Sequence, residues 1–298
     1  MTAVHTLSGR GQRRAEARTG GLLALPAMVY FGVFWLLPFL SAAYLSFTRY
    51  DLAGTPEWVG LENYRRMLED PGFWNSAQVT ALYTAGSVLP AIVLALAIAV
   101  PLARPGRRNG VLRGLIMIPA VMPLVATSVV WRIIYADGGP ANTVLGLAGL
   151  GPVSWLTDER LAIWSLVVMV TWKHLGLFVI ILTAGLQALP RGVYEAAALD
   201  GAGPVRAFFS ITLPLLRRTL LFVLIIAVVG STQAFVPAFL LTGGGPAGAT
   251  EVLPYYMWSN AFGFERMGYA SAMAMVLLVM LVVLSLAQFR FLRGGDDE

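Results

Sequence analysis

Apolar residues run along this chain in long blocks separated by short polar stretches. Six blocks, residues 21–47, 79–102, 112–135, 161–186, 220–241 and 269–291, each hold about the 20 mostly apolar residues that a helix needs to cross a hydrocarbon core. The pattern predicts an all-α integral membrane protein with six transmembrane helices. Pro26, Pro38, Pro90, Pro101, Pro119, Pro123 and Pro237 fall inside the blocks. They would break helices in water, but a membrane helix tolerates them where its neighbours satisfy the freed backbone groups. The first block is about twice as long as the apolar core of a signal peptide and reads as a retained span.

Composition agrees: 57% of the 298 residues are hydrophobic and 12% are charged, against about 25% charged in an ordinary soluble domain. Too few charges remain to cover a soluble surface, so lipid is the solvent for much of the chain. The placement of arginine sets the orientation. Arg10, Arg13, Arg14 and Arg18 precede the first block, Arg104, Arg107, Arg108 and Arg113 follow the second, Arg191, Arg206, Arg217 and Arg218 follow the fourth, and Arg290 and Arg293 close the last. The alternate segments carry most of the acids, among them Asp51, Glu57, Glu62, Glu69, Asp70, Asp158 and Glu251. Both termini are therefore expected in the cytoplasm, with residues 1–20 a cytoplasmic segment, 21–292 the membrane unit and 293–298 a cytoplasmic tail. Two outer stretches, 58–74 and 153–159, carry tryptophan or tyrosine and read as interfacial helices or short folded loops, serving either as aromatic anchors at the headgroups or as a docking face.

Several chemistries are excluded. With no cysteine, there is no thiolate nucleophile, disulfide or thiolate metal site, and His5 and His174 are too far apart in sequence to suggest a histidine metal site. No metal ligands and no catalytic residues are assigned. None of the six blocks contains Asp or Glu, which argues against a secondary transporter coupled to protons or sodium. No pore-lining filter is apparent either. Lys173 is the sole lysine, flanked by Trp172 and His174, so a phosphate-cradling P-loop with its lysine is absent.

The segment 190–216 differs from the other inner loops. Arg191 to Leu199 reads as a short helix, Gly201 sits where a left-handed residue would end it, and Pro204 suits the first turn of a second short helix running through Phe208 and Ile211 to Leu213. Two short helices at an angle would form a rigid knob able to enter a groove on another protein. Glu195, Ala196, Ala197, Asp200, Gly201, Ala202, Ile211, Leu213 and Pro214 resemble the EAA signature of permease subunits of binding-protein-dependent ABC importers, in the extended form of the maltose and glycerol-phosphate type. Gly60-Leu61 with Asn63-Tyr64, Ala184-Gly185-Leu186-Gln187, Gly243-Gly244-Gly245-Pro246 and Gly268-Tyr269-Ala270 are similar to further segments of those sugar permeases.

The resemblance implies a type I importer permease fold (MetI-like) in a bacterial inner membrane. It implies a sugar or sugar-like solute delivered by an extracytoplasmic binding protein, a second permease subunit as heterodimer partner, and an ATPase dimer that holds ATP and magnesium. It makes Glu195, Ala196, Ala197, Asp200, Gly201, Ala202 and Pro214 the ATPase-coupling residues. This chain would bind no cofactor and no nucleic acid, and lipid would surround it. A secondary transporter, or a permease for a non-sugar solute, stands as the alternative.

Polar groups inside spans are functional candidates by default. Lys173, about a dozen residues into the fourth span, serves either the solute pathway, with Trp172, or an internal partner such as a carbonyl. Ser231 and Gln233, in an otherwise aliphatic fifth span, either line the pathway or hydrogen-bond between helices. His174 reads as a packing residue. Gly268 with Ala272 and Ala270 with Ala274 place small residues four apart, a pattern for close helix packing.

Overall fold

The computed structural model describes residues 19–20 and 23–293, so most of the N-terminal segment and the end of the tail lie outside the described residues. The spans are α1 (Leu23–Leu45), α3 (Pro71–Leu102), α7 (Ala162–Gln187), α9 (Pro204–Thr242) and α11 (Met267–Arg293), plus one bent pair, α4 (Arg107–Val121) and α5 (Leu124–Ile134). Short helices α2 (Glu62–Glu69), α6 (Pro140–Leu147), α8 (Arg191–Leu199) and α10 (Leu253–Trp258) lie between them. The six expected spans are present if the bent pair is one of them.

That pair corrects the sequence expectation of a single third helix over 112–135. The chain turns by 94° between α4 and α5. Pro123 disfavours the helical conformation at the residue before it, and Met122 is extended at φ −68°, ψ 141°. A second irregularity lies in the fifth span. Pro237 lacks the N–H that would bond to Gln233, and a tight turn forms instead, with the Phe235 amide donating to the Gln233 carbonyl at 2.8 Å.

A short antiparallel pair, β1 (Thr48–Arg49) and β2 (Glu57–Trp58), follows α1, with Thr48 opposite Trp58. The buried Asn63 Nδ2 donates to the carbonyls of Ser46 and Thr48 at 2.9 and 2.8 Å, fastening α2 to this pair. Gly268 at the start of α11 lies so close to the Thr48 carbonyl that a Cβ would overlap it. The small residue expected to permit close packing does so here against this backbone. Within 58–74 the chain forms the short helix α2. In the next loop the helix falls earlier, at α6, while 153–159 is a folded turn held by Asn142, whose Oδ1 accepts from the Val153 amide and the Trp155 indole at 2.9 and 3.0 Å.

Span α7 is the most enclosed, and α1 buries none of its apolar window in the described chain. The bundle interior divides into two apolar cores stacked along the spans. One gathers Tyr83, Leu166, Met169, Ala238 and Val252; the other gathers Ala91, Ala95, Val179, Leu182, Leu216 and Val223. A third cluster, with Met67, Phe73, Leu253 and Met273, joins α2 and α10 to α11 on the face that carries β1 and β2.

On that face Asp70 caps α3, its Oδ1 accepting from the Gly72 amide at 2.9 Å, and its Oδ2 accepts from the Tyr256 and Tyr269 hydroxyls at 2.7 and 2.6 Å. Burial pushes the carboxyl up, but these donors outweigh it and hold Asp70 below its ordinary value. Burial and the bond to Asp70 push Tyr256 up to about 12. A carboxyl with a lowered folded pKa adds stability above its unfolded pKa and loses it as pH falls through the folded value. Asp70→Asn is expected to cost about 2 kcal/mol at neutral pH, read as a lower midpoint of thermal unfolding in detergent. The wild-type chain should lose that increment only on acidification below the ordinary carboxylate range. An unchanged midpoint in the variant would show that the tyrosine bonds add nothing.

Candidate coupling knob and membrane waist

The knob is built from the end of α7 through α9. Pro190 is extended and α8 begins at Arg191. Gly201 takes φ +74°, and the Ala202 amide donates to the Ala197 carbonyl at 2.9 Å while the Gly201 amide donates to Ala198 at 3.1 Å. This paired closure ends a helix by a left-handed residue, as expected from the sequence. The second short helix is a correction. The chain from Pro204 does not stop at Leu213; it passes through a wide turn at Phe208–Thr212 into α9 without a break until Gln233. The knob is thus one free short helix set against the first turns of the fifth span.

Glu195, Ala196, Asp200 and Gly201 are exposed on it, Ala197 and Ala202 are half-buried, and Pro214 is exposed about three turns into α9. Around them Leu199 is 90% exposed, Val205 71% and Phe209 62%. No local pattern singles out Tyr194, whose hydroxyl lies 3.0 Å from that of Thr212 and ties α8 to the base of α9. Nearby, Gln187 Nε2 donates to the Ala103 carbonyl at 3.1 Å, joining the ends of α7 and α3.

Between the two apolar cores lies a polar waist. A cleft of about 10 Å³, room for about one water-sized group, is lined there by Ser87, Thr171, His174, Phe178 and Ser231 among others. Ser231 is buried, and its hydroxyl also donates to its own helix at the Val228 carbonyl, 3.1 Å away. His174 stacks on Phe178 at 6.1 Å between ring centroids. Ser87 and Thr171 were not singled out from the sequence; their only signal is a hydroxyl in an apolar span. Trp172 does not line this cleft: it packs edge-on against Trp131 at 5.5 Å. Gln233 is exposed at the turn that interrupts α9. Lys173, 5% exposed, aims its Nζ at the carbonyls of Met122, Pro119 and Ala120, at 2.7, 3.3 and 3.3 Å. Of the two readings left open for it, the internal carbonyl partner is the one present in this conformation. Among the described residues no group of His, Asp and Glu is arranged to hold a metal ion.

Residues 71–294 match the family model described as the binding-protein-dependent transport system inner membrane component. The trehalose/maltose transport system permease protein MalF of Thermococcus litoralis is 36% identical over 274 residues, covering 91% of each chain. The sulfoquinovosyl glycerol transport system permease protein SmoG of Agrobacterium fabrum is 32% identical, covering 92% of this chain and 90% of that protein. A crystal structure of a bacterial ABC transporter that imports the acidic polysaccharide alginate superposes with a TM-score of 0.84 at 18% identity, over 97% of this chain and all of that one.

Proposed function

Because the chain belongs to the family of binding-protein-dependent transport system inner membrane components, we propose that it forms one half of the pathway of an ATP-driven importer for a sugar or sugar-like solute. The observation that carries the reading is the knob: a capped helix with Glu195 and Asp200 among exposed apolar side chains at Leu199, Val205 and Phe209. Exposed apolar surface in a rim of polar groups marks a protein interface. The partner at this interface is an ATPase subunit, which supplies the ATP and magnesium site. Glu195, Ala196, Ala197, Asp200, Gly201, Ala202 and Pro214 make or shape the contact, and the Tyr194–Thr212 contact passes its movement to the fifth span.

The arginine bias places the knob and both termini in the cytoplasm of a bacterial cell, its inner membrane around the spans, and β1, β2 and α2 on the outside, where the binding protein docks. The sugar class is supported by the names of the relatives, which transport trehalose and maltose or sulfoquinovosyl glycerol. At the waist, Ser87, Thr171, His174 and Ser231 offer the hydrogen-bonding side chains that a sugar needs, with Trp172 and Gln233 nearer the pathway's edges. A sugar ring does not fit a 10 Å³ cleft, so the halves of the pathway must part to admit it. One knob engages one ATPase of a closing pair. A second permease therefore supplies the other, and α1, unburied in its own chain, offers that second subunit an apolar surface.

The test is reconstitution. This chain with its ATPase alone should show no solute-stimulated hydrolysis, and adding the second permease and the loaded binding protein should raise hydrolysis several-fold. Full stimulation without the second permease would replace the heterodimer by a homodimer. No stimulation by any sugar in the complete assembly would overturn the sugar reading.

A further inference from the structure

A lysine in mid-membrane with three carbonyls and no acid is unusual enough to need a reason. Where α4 ends, its last carbonyls lose their helical partners, and in the hydrocarbon region no solvent replaces them. Lys173 supplies donors to three, those of Pro119, Ala120 and Met122. An ammonium at a helix C-terminus also meets the negative end of the helix dipole.

The break lies where the two apolar cores meet. On one side, α4 is pressed to α7, with Gly176 so near the Ile116 carbonyl that a Cβ would overlap it. On the other, Leu124 and Trp131 of α5 pack with the core that contains Ala234 and Ala238, beyond the interruption of α9. Each half of the third span is thus fixed to a different core, and the fifth span is interrupted at Gln233, just before Ala234 and Ala238.

We infer that Lys173 is a positioning residue for transport: by holding the carbonyls at the end of α4, it keeps the third span broken at Met122–Pro123, so that its two halves move with separate cores as the pathway opens and closes. The lysine acts on the backbone, with no need to touch the solute. What it requires of a side chain is reach and hydrogen-bond donors, which arginine retains and methionine lacks.

The chain's lack of cysteine permits a direct measurement. Spin labels at Arg108→Cys and Asp137→Cys, beside the far ends of α4 and α5, report the bend. The bent pair measures about 28 Å end to end, against about 42 Å for a straight helix of the same length. In the purified full-length chain in detergent, wild-type and Lys173→Arg proteins should give a narrow distribution at the short distance. Lys173→Met should give a broad distribution shifted outward by several ångströms. This arm does not depend on the importer reading. In reconstituted vesicles, which do depend on it, Lys173→Met should lower the maximal solute-stimulated ATPase rate at least tenfold and leave the half-saturating concentration of loaded binding protein within about twofold, with Lys173→Arg restoring most of the rate. A short, narrow distance in Lys173→Met would overturn the inference, as would a lost short distance in Lys173→Arg. Should Lys173→Met fail to accumulate, the arginine variant decides: a retained bend with retained rate supports the role, and loss of either rejects it.

Discussion

Gly201→Val should abolish coupled transport while leaving the subunit in the membrane at its normal level. Gly201 holds φ +74°, and no atom lies within 4 Å of where its Cβ would be. The cost of a side chain there is therefore conformational: about 1–2 kcal/mol for an L-residue in the left-handed region, and more for a β-branched one. For valine that rivals the combined worth of the two closing bonds from Gly201 and Ala202, about 2 kcal/mol at most for exposed bonds. The variant escapes by turning the backbone, and the turn swings α8 relative to the start of α9. Solute uptake in cells that carry all partners should fall more than tenfold, with the subunit still detected in the membrane fraction. Gly201→Asn, whose side chain tolerates the left-handed region, should keep most of the activity. Normal uptake by the valine variant would remove Gly201 from the coupling assignment.

The second large effect is expected at Gly176→Ala. A Cβ at this position would overlap the backbone carbonyl of Ile116 and press on Met117. Backbone cannot rotate away as a side chain can, so α4 must separate from α7 along its length. Overpacking of this kind costs about 1–3 kcal/mol in a soluble core. Here the separation also draws Lys173 from its carbonyls, so the loss should be at the upper end or beyond. The expected result is little or no folded subunit by fluorescence-detected size exclusion. Gly114→Ala is the control: its Cβ meets nothing within 4 Å, and removing a helix-interior glycine adds about 0.5–1 kcal/mol of stability. Equal accumulation of the two variants would show that the α4–α7 contact has room for a Cβ at position 176.

Much of the architecture was legible because membrane burial writes itself in runs of apolar residues, and a run needs no knowledge of its neighbours. The first, second, fourth, fifth and sixth spans could be seen in this way. The knob was legible because Gly201 and Pro204 each carry a backbone requirement that holds whatever surrounds them. The bend at Met122–Pro123 was not, although both prolines of the third span were noticed. A proline in a membrane helix gives either a mild kink or a full break, and the choice here was made 50 residues away by Lys173. Gln233 looked like part of a polar patch in a helix, yet Pro237 had already taken away the amide that its carbonyl needed. The continuity of Pro204 through Thr212 into α9 was hidden because local signals announce where a helix starts more clearly than where it stops. Asp70, placed simply among the outer acids, proved to join three elements through Tyr256 and Tyr269, partners 186 and 199 residues away that no local pattern reveals.

The unburied first span has a consequence for biogenesis. Within the described chain none of the side chains of residues 23–36 is buried, and Met28, Phe34 and Trp35 are each more than 60% exposed. Lipid solvates such a helix well enough to hold it in place but gives it no fixed neighbour. Insertion and docking are therefore separate events for this segment. A subunit with no partner on this face would carry an apolar arm held by lipid alone.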